Sequence, residues 1–458
     1  MKKENEYRVL SPTAILGYGF PEGSFKKGVT LKPHCIAVDA GSTDPGPYYL
    51  GVGKSFTNRD AVKRDLRYML VAGRKLKVPV IIGSAGGGGA KPHVDWCEEI
   101  IREIAQEEKL SFKMAVIYAD IQKAAILSAL KKKAIVPLSF VPELDEKTVQ
   151  DSVNVVAQMG MEPIIKALDQ GCEVILCGRC YDPAVFAAMA VRQGFDAGLA
   201  LHMGKILECA AIAATPGSGA DCAMGFLRED HFELAPLSSE RKFTQLSTAA
   251  HTLYEKSDPS HLPGPGGVIE LDKCVFEERP GGRVRVSGSR FVPGNPYYIK
   301  LEGVRRAGYR TISVAGTRDP VMLAEIDTIL NAVRKQVMER SEKDGVVGRV
   351  DFHVYGKNGV MRELEPVKKT GSHELGLVME AVADTQKAAD TLCSLVRSTL
   401  LHYGYPGRLS TAGNLAFPFS PSDASMGEVF EFSLYHLMPV KDPAAFPMKT
   451  ADIGRRKA

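Results

Sequence analysis

The chain has no apolar run long enough to span a membrane. It carries no nicotinamide or flavin fingerprint, which argues against redox chemistry on those cofactors. It also lacks a cysteine framework. The nine cysteines are scattered, and Cys177 and Cys180 form the one CxxC, with no second pair to complete a zinc site. Neither sign of charge is in excess. A net charge of +4 gives no ground for expecting nucleic acid or a membrane surface as a partner. No internal repeat is apparent. Met1-Lys2-Lys3 does not open a secretory signal, so the thiols are expected to be reduced in a cytoplasmic protein. The length of 458 residues is too great for one core and predicts two or three domains.

What the chain does have is a glycine-dense turn. Val78-Pro79-Val80-Ile81-Ile82 reads as a buried parallel strand, and five glycines follow in the seven positions Gly83 to Gly89. A helical pattern then opens at Lys91-Pro92-His93. In open α/β sheets, ligands bind where a loop leaves the carboxyl end of a strand. The turn does not read GxGxxG and does not end in Gly-Lys-Ser/Thr. It is therefore expected to cradle a carboxylate or phosphate on the amides of Gly86, Gly87, Gly88 and Gly89, with Ser84, Lys91 and His93 beside it. The alternative is a turn whose glycines allow close packing.

Two further strand ends carry candidate chemistry. Cys35-Ile36-Ala37-Val38-Asp39 runs into a small polar loop holding Ser42 and Asp44. Asp39 is placed to face a ligand or a metal, although Asp44-Pro45-Gly46-Pro47 is also a good turn by itself. Glu173-Val174-Ile175-Leu176 ends in Cys177-Gly178-Arg179-Cys180-Tyr181-Asp182-Pro183, where Asp182 and Pro183 begin a helix. Arg179 on that loop either grips a substrate carboxylate bidentately or pairs with Asp182 at the surface. Glu208 lies in an apolar helix, where burial would raise its pKa and suit acid/base work, whereas a solvated face would leave it ordinary. Asp39, Asp44 and Asp182 together have the oxygen chemistry that Mg²⁺ prefers.

Alternating strands and helices through about residue 210 predict a doubly wound, Rossmann-like parallel sheet. Residues 154–170 are read as one amphipathic helix. The expected domains are 1–212 (α/β, ligand-binding), 213–405 (α+β, covering the first) and 406–458 (an extension that packs on a domain or a partner).

Several stretches resemble the acyclic terpene utilisation AtuA family. They are Asp39 to Pro47, Gly83 to Gly89, Cys177-Gly178-Arg179 with Asp182-Pro183-Ala184, Ile206 to Cys209, Val284 to Gly288 and Gly413 to Asp423. The resemblance spans nearly the whole chain. It implies a catabolic role on carboxylate or thioester substrates, and a small companion protein encoded beside many members. Two functions follow as expectations. One is a lyase, hydratase or isomerase acting on a small carboxylic acid or its CoA thioester. Asp39, His93, Asp182 or Glu208 would move protons there, and Ser42, Ser84, the glycine loop, Lys91 and Arg179 would bind substrate. The other is a non-catalytic ligand-binding or scaffolding subunit completed by the companion. A homo- or hetero-oligomer is expected in either case.

Overall fold

The computed structural model describes residues 5–254, 258–409 and 411–454. The opening residues Met1-Lys2-Lys3, on which the signal-peptide expectation rests, lie outside the described residues. The fold is mixed α/β and divides into two compact units, residues 1–305 with 432–458 and residues 306–431.

The first unit is built on a ten-stranded sheet. Its parallel part runs Tyr7–Ser11, Cys35–Asp39, Val80–Gly83, Val174–Cys177, Phe112–Ile117 in spatial order. The central strands are short, apolar and fully buried, as strands covered on both faces must be. On one face, Ile36, Val38, Val80 and Ile82 share a core with Leu66, Met69 and Leu70 of helix Arg59–Leu76 and with Val94, Ile100 and Ile101 of helix Lys91–Glu107. On the other face, helix Ala184–Arg192 packs against Cys35–Asp39 and Val80–Gly83. Asn58 starts the Arg59–Leu76 helix, its side chain accepting from the amides of Asp60 (2.9 Å) and Ala61 (3.3 Å).

The expected parallel strands are present, as one part of a larger mixed sheet. A doubly wound sheet begins near its centre and winds outward both ways. Here the first strand stands at one side of the parallel set, and antiparallel strands extend the sheet beyond both sides. Beside Tyr7–Ser11 come Ala223–Leu227, His231–Pro236, Arg283–Ser287 and Val275–Arg279. The sheet therefore passes straight through the expected boundary at 212. Thr215 to Gly219, just past that boundary, leads into the strand that pairs with Tyr7–Ser11. At the opposite edge, Met448–Ile453 pairs antiparallel with Phe112–Ile117, so this end of the expected extension is an integral edge strand. Residues 154–170 are a strand, Ser152–Gln158, followed by a helix, Glu162–Asp169. Val153, Val155 and Val156 favour the extended form, and Val155 sits opposite Gly303 of the strand Tyr298–Thr317.

The second unit is antiparallel. Leu375–Ala383 pairs with Gly348–Tyr355 and with the Tyr309–Thr317 stretch. Helices Ile326–Lys343 and Gln386–His402 share one core with these strands, through Ile329, Val333, Leu392 and Val396 against Val350, Leu377 and Met379.

Candidate functional site

Three strand ends come together through register. Asp39 stands opposite Gly83 and Ile82 opposite Leu176, so the loops that leave these strands are neighbours at one sheet edge. At their centre is Arg179, which is 3 % exposed. Its Nε donates to Glu302 Oε2 at 2.8 Å, and its Nη1 faces Asp182 Oδ1 (2.8 Å), Ser84 Oγ (3.1 Å) and the Cys180 carbonyl (2.8 Å). Burial works against the guanidinium charge, but Glu302 and Asp182 outweigh it and hold the pKa well above its ordinary value. Lys300 adds a 2.7 Å bond to Glu302 Oε1, and Thr43 Oγ1 donates to Oε2 at 3.3 Å. Burial raises the Glu302 pKa, while Arg179 and Lys300 lower it further, to about 2.

Asp39 lies beside this group, 7 % exposed, with Oδ1 buried and without a hydrogen-bond partner. Burial and the Asp182 carboxylate push its pKa well above the usual range, and Arg179 opposes them only in part. Asp39 is therefore the acid of this group whose carboxyl is pushed upward. A second buried pair completes the neighbourhood. Lys205 donates to Glu208 Oε1 at 2.6 Å, near the end of helix Ala197–Leu207. Burial works against the Lys205 charge, yet Glu208 holds its pKa above the ordinary value. Glu208 acts electrostatically on Asp39, and Asp182 on Lys205, so the two pairs form one charged group. The group contains four acids (Asp39, Asp182, Glu208, Glu302) and three permanent bases (Arg179, Lys205, Lys300).

The glycine turn packs against this group, and two of the four amides expected to cradle an anion are already bonded. The Gly87 amide donates to the Ser84 carbonyl (2.8 Å) and the Gly89 amide to the Ala85 carbonyl (3.1 Å), so neither is available to a ligand. All of residues 83–90 are buried. A Cβ on Gly89 would lie 2.2 Å from the Arg179 nitrogen, and one on Gly86 would lie 2.9 Å from His93 Cβ. Gly88 also faces the His93 ring, and Gly87 faces Phe56. These glycines allow the close backbone approach of the packing alternative. Ser84 takes a left-handed φ of 46°, uncommon for a residue with a side chain, and its hydroxyl receives both Arg179 and the Cys180 amide.

Other expected site residues stand elsewhere or are already occupied. His93 Nε2 lies 3.1 Å from the carbonyls of both Tyr49 and Lys54, which makes it the protonated nitrogen. Burial lowers its pKa, so His93 is a neutral clip behind the glycine turn. Lys91 is exposed and pairs with Asp95 one helical turn on. Ser42 Oγ donates to the exposed Asp44 at 2.6 Å, forming a local turn. The Mg²⁺ set of Asp39, Asp44 and Asp182 is not assembled, because Asp44 is turned to that bond. Among the described residues, no three His, Cys, Asp or Glu side chains are grouped to hold a metal ion. Arg179 itself is spent on protein carboxylates and is not open to a bidentate substrate grip. Glu302, Lys300, Thr43 and Lys205 were not anticipated. Glu302 within the apolar stretch Leu301 to Val304 was the available signal.

A mixed α/β protein with a buried charge group at the carboxyl edge of its parallel strands is what the fold and site define. The chain belongs to the acyclic terpene utilisation family AtuA, whose description matches residues 59–223 and 239–419. The matched segments include the glycine turn, Arg179, Asp182, Glu208 and Glu302, and the family's description denotes a catabolic role. No curated protein and no solved structure matches the chain. Among the described residues, no helix is long and apolar enough to cross a membrane.

Proposed function

We propose that this protein is a catabolic enzyme, a lyase, hydratase or isomerase that moves a proton on a small carboxylic acid or its CoA thioester. The observation that supports this is the buried, unpartnered Oδ1 of Asp39 beside Arg179 and Asp182. A carboxyl group whose pKa is raised by burial can donate a proton to a substrate and take one back, as general acid–base work requires. The fixed charges of Arg179 and Lys205 favour an anion that develops next to them, and such preorganised charge is worth most where water is excluded. In this reading Arg179 acts from its Glu302 anchor as a stationary charge. Asp182 and Glu208 hold the two cations in place and set the proton on Asp39.

The experiment is hydrogen–deuterium exchange on candidate substrates. The protein is incubated in D₂O with short-chain carboxylic acids and their CoA thioesters, and the recovered compounds are weighed by mass spectrometry. Deuterium entering a carbon next to the carbonyl is expected, and Asp39→Asn should abolish it with the fold intact. Absence of exchange, with and without the companion protein, would overturn the enzymatic reading and leave a ligand-binding subunit.

A further inference from the structure

A cavity of about 240 Å³ lies in the first unit, next to the Arg179–Asp182 loop. Its walls are largely apolar: Met161, Leu201, Phe291 and Pro293 are among them. Tyr181 also lines it, and Tyr181 stands between Arg179 and Asp182 in the chain. Tyr181 is 7 % exposed, and its hydroxyl is buried with no hydrogen-bond partner. A buried phenol without an acceptor is unfavourable, and an acceptor that reached it would satisfy it. Gly264 leaves room for it, since a Cβ there would lie 3.2 Å from the hydroxyl oxygen. Burial, Glu208 and Asp182 all raise the Tyr181 pKa, which keeps the hydroxyl a donor.

The charge on the walls selects among acceptors. The one charged residue on the lining is an acid, Glu162, whose Oε2 accepts from the Tyr297 hydroxyl at 2.7 Å. A free carboxylate would enter beside that acid with no lining cation to meet it. A neutral carbonyl would accept from Tyr181 without that repulsion. The volume is below the roughly 300–1,000 Å³ of sites that enclose drug-sized ligands, so it fits a short chain.

We propose that this cavity is an acyl pocket, which takes the short apolar chain of a neutral carbonyl compound such as a thioester, with Tyr181 donating to the carbonyl oxygen. The inference rests on the acid–base reading above, because the carbonyl would then lie next to the loop of Arg179 and Asp182. It narrows the substrate from an acid or its thioester to the thioester.

The test is calorimetric titration of the full chain with the N-acetylcysteamine thioester of hexanoic acid, and with hexanoate as the charged control. The thioester is expected to bind at least about tenfold more tightly than hexanoate. Tyr181→Phe should weaken the thioester by about five- to tenfold, the value of one neutral hydrogen bond. Leu201→Trp should block it. Met161→Trp, at a partly exposed position, gives the same block if the helix does not tolerate the first change. Leu201→Ala should shift the preference toward a longer chain. Equal or tighter binding of hexanoate, or thioester affinity unchanged in both tryptophan variants, would overturn the pocket. Binding that follows these substitutions without any deuterium exchange would instead overturn the acid–base reading and leave the pocket standing.

Discussion

Arg179 Nε donates to Glu302 Oε2 at 2.8 Å, joining two residues 123 positions apart in the chain, one 3 % exposed and the other 0 %. A pair this deep is costly to break from one side. Glu302→Ala leaves a buried guanidinium with one carboxylate fewer and should destabilise the protein by roughly 3–5 kcal/mol. Denaturant unfolding measures it. The pair also sets an acid limit. The folded pKa of Glu302, about 2, is below its unfolded value, so its contribution is present above the unfolded pKa. It is lost as pH falls from there toward about 2, and Glu302→Gln should flatten stability over that interval.

Asp39 has the opposite sign. Its folded pKa is raised, so the folded state holds a proton that the unfolded state releases. This favours folding fully below the unfolded pKa, and the benefit drains away as pH rises toward the folded value. Asp39→Asn removes the titrating group. The variant should gain on the wild type as pH rises above the unfolded carboxyl value, about 4. Urea unfolding across that range decides it, and a wild-type advantage at the alkaline end would contradict the assignment.

Gly89→Ala places a methyl group 2.2 Å from the Arg179 nitrogen on a residue with φ of 66°. Overpacking and backbone strain add here, and a loss of about 3 kcal/mol is expected. Gly171→Ala also sits at positive φ, 73°, but has nothing within 4 Å, so it isolates the backbone part. Comparable losses in both variants would show that close approach at Gly89 is not what matters.

His93 should remain neutral in the folded protein below the pH at which a free imidazole protonates, because burial lowers its pKa. The unfolded chain takes up the proton first, so this contribution is present above about pH 6.5 and falls away as pH drops through the folded pKa. Nitrogen-15 NMR should show Nε2 protonated and Nδ1 bare. The reverse tautomer would separate His93 from the Tyr49 and Lys54 carbonyls.

Local patterns carried much of the first unit. Val80 to Gly83 and Cys35 to Asp39 are strands because they are short β-branched or apolar runs that end at turn residues, and parallel pairing then brings Asp39, Ser84 and Arg179 to one edge. What single-stretch reading could not supply was partners. Nothing near Arg179 announces Glu302, which arrives on a strand 123 residues later. Asp44 and Ser42 looked like ligands for the same reason that they make a turn: short polar side chains that bond locally. The glycines of the turn were ambiguous, because a backbone approaching a ligand and one approaching Arg179 need the same absent side chain. The boundary at 212 failed because a Pro-Gly turn feeding an antiparallel strand looks like a linker until its pairing with Tyr7–Ser11 is seen.

The odd number of charges around Arg179 reaches beyond the resting protein. Four acids face three bases there, so the acids outnumber the bases by one. A ligand that carries a negative charge adds to that excess, and a neutral ligand does not. The heat of binding, compared in buffers of different ionisation enthalpy, reads any proton that Asp39 takes up in response: a buffer dependence is expected for an anionic ligand and none for a neutral one.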